Sequence, residues 1–557
     1  MKKMSMLLVA FMAVLAAVPL GGCAKKIAND ENTLEIYIGN FGYGYEWLDD
    51  VIAAFKEEDW VKETYPNLNI PTPQHNSQDT YGNDRILSDA QANSTDLFFV
   101  TKSSNAGVAS SYNDGSKLFE ELTDVLDSQV PGESKTLREK INPSVLESEM
   151  IEVEKGKQSL YGMPWVNGLM GLLYNESAIE RALGRDFVEP RTTDELLSLS
   201  EELYQTQKNK SSSERVAVFS FASGIMYWNS VLYDWWAQYE GIESYNNFYK
   251  GIVVDRGQTK LSADVYKQQG RLEALKVLDS LIGDGENPYH KNDDNQVVST
   301  GRAYNATGVN TDSFTTVQAK FMQGKAFMAP NGDWFGNEMK NVAGGATDVI
   351  KFMKTPVISS LAKKCTTVAT EENLRTLISA IDGNKTYEQV KAEPDLSGLS
   401  EKDYKAVYEA RHVFARVDGH NAYIPSYATA KNIAKDFLRF MATDKAIVCF
   451  MKATGGSASP FIYNGDVTQV VELSPLHLTR HAITEDGLNL RNGTSFPLTY
   501  FGGMQVFPLT RAIEVVYTSQ NEKDRKSAQT IYDESYTFMT ENNGRNWDTI
   551  LTLAGVK

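Results

Sequence analysis

Cys23 is the side chain whose setting says most about chemistry. Lys2 and Lys3 give a positive start, Met6 to Leu20 form a short apolar run, and Leu20-Gly21-Gly22-Cys23 places small residues directly before a thiol. That order matches a secretory signal that ends at a lipid-attachment cysteine, and the run is too short for a spanning helix. The thiol is then the acceptor of a diacylglyceryl group, and two acyl chains hold a protein at a membrane where one is marginal. The other groups capable of chemistry are less ordered. The six histidines, at 75, 290, 412, 420, 477 and 481, show no metal-ligand spacing. His477 and His481 are four apart but follow Pro475 among polar residues, which predicts a surface pair. Asp284-Gly285-Glu286-Asn287 and Asn292-Asp293-Asp294-Asn295 are rich in oxygen yet lack a calcium-loop pattern, so they read as solvated turns. No nucleophile elbow, zinc-binding helix motif or phosphate loop is present. Neither a metal nor a cofactor is expected. Aromatic residues cluster at Tyr227-Trp228, at Tyr233-Asp234-Trp235-Trp236 and at Trp334.

The elements that must position these groups alternate between strand and helix. Leu34 to Ile38 reads as a first strand running into the glycine-rich turn Gly39 to Tyr45, and Trp47, Leu48, Val51, Ile52 and Phe55 then share one helical face. Asp96 to Val100 reads as a second buried strand. Further helices are predicted over Val265 to Ile282, Ile433 to Met441 and Leu509 to Tyr517, and the charged stretch from Thr370 to Arg411 reads as a surface insertion. The chain has 557 residues with 42% hydrophobic content, too long for one core and ample for two. Its net charge of −17 becomes two units more negative once the leader and its two lysines are removed, which argues against nucleic acid as a partner. Beyond Cys23 only Cys365 and Cys449 remain, either as two small buried thiols or as one bridge.

Three segments carry a resemblance. Tyr161-Gly162-Met163-Pro164, Gly171-Leu172-Leu173-Tyr174-Asn175 and Pro190 to Leu197 form the first. Phe321 to Met328 running into Asn331-Gly332-Asp333-Trp334 form the second, and Ala430 to Met441 with Thr443-Asp444-Lys445-Ala446 the third. In order and spacing they resemble the extracellular solute-binding proteins, family 1, sugar type, that serve bacterial ABC importers, in the lipoprotein form. The resemblance implies an α/β, two-lobed, periplasmic-binding-protein-like (type II) fold with a hinge and a central ligand cleft. Carried over, the leader is 1–22, a tether 23–32, lobe one 33–166 and 340–430, and lobe two 167–339 and 431–557. Pro164, Asn331 and the helix after Ala430 are then the places where the chain changes lobe. The greater length resembles the members that handle oligosaccharides.

A pyranose offers an apolar face and a rim of hydroxyls, so a sugar site needs aromatic platforms flanked by carboxylates or amides. By the resemblance Trp334 stacks a ring, with Asp333 accepting hydroxyls beside it. Tyr227 and Trp228 stand at the mouth of the cleft, and Phe507 with Arg511 form a second platform. From the facing lobe, Phe41, Tyr43 and Glu46 lie in the turn after the first strand, and Trp165 and Asn167 follow the first crossing. Thr101 to Ser104 depart from the acidic and basic pair of maltose-type binders, against a maltodextrin ligand. The implied role is a non-enzymatic, monomeric receptor on the outer face of the cell membrane. It captures a carbohydrate and passes it to the membrane permease subunits. Two other classes stay open to the sequence: an exported glycosidase, whose two carboxylates need only a suitable separation, and a binder of a non-sugar solute such as a peptide.

Overall fold

The computed structural model describes residues 30–39, 42–76, 86, 94–102, 108, 111, 115, 117–154, 156–292, 294–296, 298–342, 348–416, 420–490 and 513–553. Cys23, Phe41, Phe507 and Arg511 lie outside the described residues, as do Ser103 and Ser104. Two open sheets organise the chain. The first runs in the order Gln74–Asn76, Ile36–Gly39, Leu97–Thr101, His420–Tyr423, Met163–Pro164, the first three strands parallel and the last two antiparallel to their neighbours. The second runs Leu488–Leu490, Val413–Arg416, Leu169–Asn175, Ala326–Gly332, Ala217–Phe219, and Ile350–Phe352 also pairs with Leu169–Asn175. Each sheet is covered on both faces, because side chains alternate along a strand. Ile36, Ile38, Leu97 and Phe99 enter one core while Tyr37, Phe98 and Val100 enter another on the opposite face. In the second sheet Leu169 and Leu173 face one layer and Leu172 and Tyr174 the other.

The helix Glu46–Glu57 buries Trp47, Leu48, Val51, Ile52 and Phe55, the face its spacing predicts. Phe55 meets Phe437 and Phe440 of the helix Lys431–Phe440 at ring separations of 5.2 and 5.4 Å. Each such fully buried ring contributes roughly 1.5–3 kcal/mol. The predicted long helix near Val265 is a short 3-10 turn, Ala263–Lys267, followed by the helix Gln269–Ile282. The last predicted helix is described from Ile513 to Thr518. Among the described residues no helix is long and apolar enough to cross a membrane.

Lobe membership departs from the expected boundaries. Ile350–Phe352 and Val413–Arg416, expected in lobe one, are strands of the second sheet, and the helices Lys431–Phe440 and Asp444–Ala453, expected in lobe two, pack in the first core. The first change of sheet lies between Pro164 and Leu169. The second lies between Arg416 and His420, and the third follows the first-core residue Leu473 and precedes the helix Pro475–Glu485, whose Leu476 joins the second lobe's core. At Asn331 the chain does not change lobe: Phe335 and Met339 return to the second lobe's core. Nor is 370–411 a surface insertion, since Leu374, Leu377, Ile378 and Val407 are fully buried in the second lobe. Most of its charges lie on the outer faces of amphipathic helices, while Asp403 and Arg411 are buried. Cys365 and Cys449 are free thiols, the first buried and the second half-buried.

Candidate functional site

The candidate site is built where three elements meet at the junction of the lobes. The strand Ala326–Gly332 delivers Asp333 and Trp334 at its end. The turn after the strand Ile36–Gly39 delivers Gly42 and Tyr43, and the start of the helix Trp228–Glu240 delivers Tyr227. The Trp334 ring lies half-buried between the last two, 5.6 Å from Tyr227 at 60° and 6.1 Å from Tyr43 edge-on. Gly42 is needed for this approach, because a Cβ there would stand 2.7 Å from Trp334 Cδ1. The Gly42 carbonyl accepts a hydrogen bond from Asn337 Nδ2 at 2.7 Å, fixing the turn to the helical turn after Trp334.

Asp333 does not face solvent. Its carboxylate is completely buried and accepts from Tyr43 Oη at 2.7 Å and from the Ala458 amide at 3.3 Å. Gly168, on the first crossing, packs so closely that a Cβ would stand 2.0 Å from Asp333 Oδ1 and 2.6 Å from the Tyr43 hydroxyl. Burial pushes the Asp333 carboxyl up, opposed by the nearby Arg480 guanidinium and by the Tyr43 bond, and burial likewise pushes the Tyr43 phenol well up. Asp333 and Tyr43 therefore tie the second lobe to the first; in this structure they are a buried latch of the junction.

The other sequence-predicted residues divide in the same way. Trp228 is fully buried in the second lobe, edge-on to Phe219 and Phe221 at 5.2 and 5.8 Å. It is a core residue, because with Val231, Leu232, Trp235 and Trp236 it falls on the inward face of its helix. Trp165 is also buried, stacked on Trp47 at 5.1 Å and edge-on to Tyr43 and His420 at 6.0 and 5.4 Å. It backs the first-lobe wall instead of facing the cleft. Glu46 is exposed and accepts from the Tyr45 amide at the start of its helix. Asn167 is half-buried, its amide bound to the Ala458 carbonyl at 2.9 Å, while its Oδ1 is buried with no hydrogen-bond partner. Lys102, in the stretch that departs from maltose-type binders, pairs with buried Glu149 at 2.9 Å, and Asn421 Nδ2 donates to the same carboxylate at 2.8 Å. Among the described residues no group of acidic, histidine or cysteine side chains is arranged to hold a metal.

Sequence reasoning missed the helix Pro475–Glu485 as part of the junction. His477 is buried, not on the surface, with Nε2 at 3.2 Å from the Asp333 carbonyl and Nδ1 at 2.9 Å from Ser474 Oγ. The signal available was the spacing of His477 and Arg480 on one helical face. Burial and the Arg480 charge push His477 down to about 4 from 6.5. An unfolded chain takes up the proton first, so the imidazole's contribution is complete above pH 6.5 and is lost as the pH falls toward 4. The expected loss is about 3 kcal/mol. Denaturant midpoints at pH 7 and 4.5 check this: His477→Asn shows a shallower fall than the parent, and an equal fall in both contradicts it.

Structural likeness agrees with a two-lobed fold. A probable secreted solute-binding lipoprotein from Streptomyces coelicolor is 13% identical, with 91% of this chain and 98% of that one covered at a TM-score of 0.54. Apo RafE from Streptococcus pneumoniae is 13% identical over 93% and 99% at 0.53, and a chitin oligosaccharide binding protein 14% identical over 92% and 99% at 0.51. At such identity the likeness speaks for the fold alone. No curated protein sequence matches the chain. The model of the bacterial extracellular solute-binding proteins matches residues 72–462, more than half of the length, and the chain belongs to that family, whose members bind solutes and are not enzymes.

Proposed function

We propose that the protein is a lipid-anchored receptor on the outer face of the cell membrane that captures a carbohydrate, an oligosaccharide, between its lobes and delivers it as a monomer to the permease subunits of an ABC importer. The observation that carries this reading is the Trp334 ring, half-buried at the lobe junction and flanked by Tyr227, with the unpartnered Asn167 Oδ1 among the residues of the adjoining crossing. A stacked ring needs such a platform, and a buried acceptor without a donor suits a sugar hydroxyl. RafE in complex with raffinose and the chitin oligosaccharide binding protein share the fold, which supports the ligand class. Trp334, Tyr227 and Asn167 are the ligand contacts we assign. Phe41, Phe507 and Arg511 complete the set by resemblance. Asp333 and Tyr43 act by holding the lobes together, and closure is a hinge motion selected by the bound form.

The test is calorimetric titration of the soluble body against a panel of oligosaccharides, with product analysis of the same samples. Saturable binding and intact recovery support the receptor; shortened products support a glycosidase, and silence across the panel a non-sugar solute. For the anchor, Cys23→Ser is expected to move the protein from the membrane fraction to the medium. Retention at the membrane contradicts lipidation at Cys23.

A further inference from the structure

A concavity of about 250 Å³ opens on the second lobe, along Ala217 and Val218 of the edge strand of its sheet. Its lining carries Arg215, Lys320 and Lys325 and no carboxylate, on a chain with 72 acidic and 55 basic residues. The backbone gathers these three cations. The Ala217 amide donates to the Lys325 carbonyl at 3.0 Å, and the Lys325 amide to the Lys320 carbonyl at 2.9 Å. One terminal nitrogen of Arg215 donates to the Lys208 and Lys210 carbonyls at 2.9 and 3.3 Å, which fixes the guanidinium where the helix Thr193–Gln207 ends. Lys320 is paired with Asp312. Among the described residues Arg215 and Lys325 have no carboxylate partner, so two positive charges are left uncompensated. Like charges gathered without a counter-ion repel one another, and an anion from solution relieves that repulsion.

We propose that this concavity is a second ligand site, for a phosphate monoester. The two uncompensated cations match the charge of such an ester near neutral pH, about −2, whereas a carboxylate leaves one of them unmatched. Ser212 and Ser213, on the same turn as Arg215, add hydroxyl donors, which suits a tetrahedral anion whose oxygens point in several directions. Val216, Val218 and Ala306 complete the wall and suit the carbon skeleton of the ester. The site shares no residue with the Trp334 cluster and stands independently of the carbohydrate reading.

The probe is glycerol 3-phosphate, titrated calorimetrically at low salt into the full exported chain carrying Cys23→Ser, beside glycerol and acetate. Glycerol 3-phosphate is expected to saturate one site at about millimolar concentration, with both controls at least ~10-fold weaker. Lys325 is exposed and its side chain holds no bond among the described residues, so Lys325→Glu keeps the thermal midpoint and is expected to weaken the ester at least ~10-fold by repulsion. Arg215→Gln is expected to weaken it as much. Trp334→Ala is expected to leave it unchanged, which separates failure of this site from failure of the carbohydrate reading. A lipid headgroup presents the same chemistry, so the same chain is also sedimented with phosphatidylcholine vesicles with and without phosphatidic acid. Sedimentation that needs phosphatidic acid and is lost in Lys325→Glu makes the headgroup the source, and calorimetric binding alone makes it a soluble ester; either supports the site. Binding of neither probe, equal binding of glycerol or acetate, unchanged binding in Lys325→Glu or Arg215→Gln, or loss of binding in Trp334→Ala each overturns the proposal.

Discussion

Trp334→Ala is expected to bind the oligosaccharide about a hundredfold more weakly than the parent while remaining folded. Interface aromatics that fill a desolvated centre cost about 2–4 kcal/mol when truncated. Trp334 has that setting: it is half-buried, its ring flanks Tyr227 at 5.6 Å, and it packs against the first-lobe core without being enclosed by it. The fold loses less, because the ring is not enclosed and the strand that carries it is paired on both sides. Trp334→Phe keeps an apolar face and is expected to retain most of the affinity. Calorimetry and a thermal melt of the same samples check both halves. Unchanged affinity in Trp334→Ala contradicts the assignment of the platform.

Trp228→Ala is expected to do the reverse, losing about 3–5 kcal/mol of stability through a cavity in the second lobe. The residue is fully buried against Phe219 and Phe221, on a helix whose inward face also carries Trp235 and Trp236. Trp228→Phe fills most of that volume. Its indole Nε1 has no hydrogen-bond partner, so the change forfeits no such bond and is expected to cost much less. Urea unfolding gives the comparison. If Trp228→Ala is as stable as the parent and only ligand binding falls, the ring faces the cleft and its placement in the core is wrong.

These two tryptophans show what was legible in the sequence and what was not. The inward face of the helix Trp228–Glu240 follows from the spacing of 228, 231, 232, 235 and 236, so the burial of Trp228 was readable; the family position favoured the cleft and misled. The first strand, the helix Glu46–Glu57 and the buried strand ending at Thr101 were read correctly because period and burial agree there. Lobe membership was not readable in the same way. Val413–Arg416 and His420–Tyr423 are both short buried strands, and nothing local in either pattern says that they belong to different sheets. Asp333 beside Trp334 reads as a ligand acceptor in one dimension. Only the arrival of Tyr43, Gly168 and Ala458 from distant parts of the chain makes it a buried latch.

The proposed receptor role requires that a carbohydrate close the two lobes around the Trp334 platform. Small-angle X-ray scattering of the soluble body, with and without the saturating oligosaccharide found by titration, tests that most directly. A smaller radius of gyration on binding in the parent, and none in Trp334→Ala at the same concentration, is the predicted result. An unchanged radius at full saturation of the parent would contradict it.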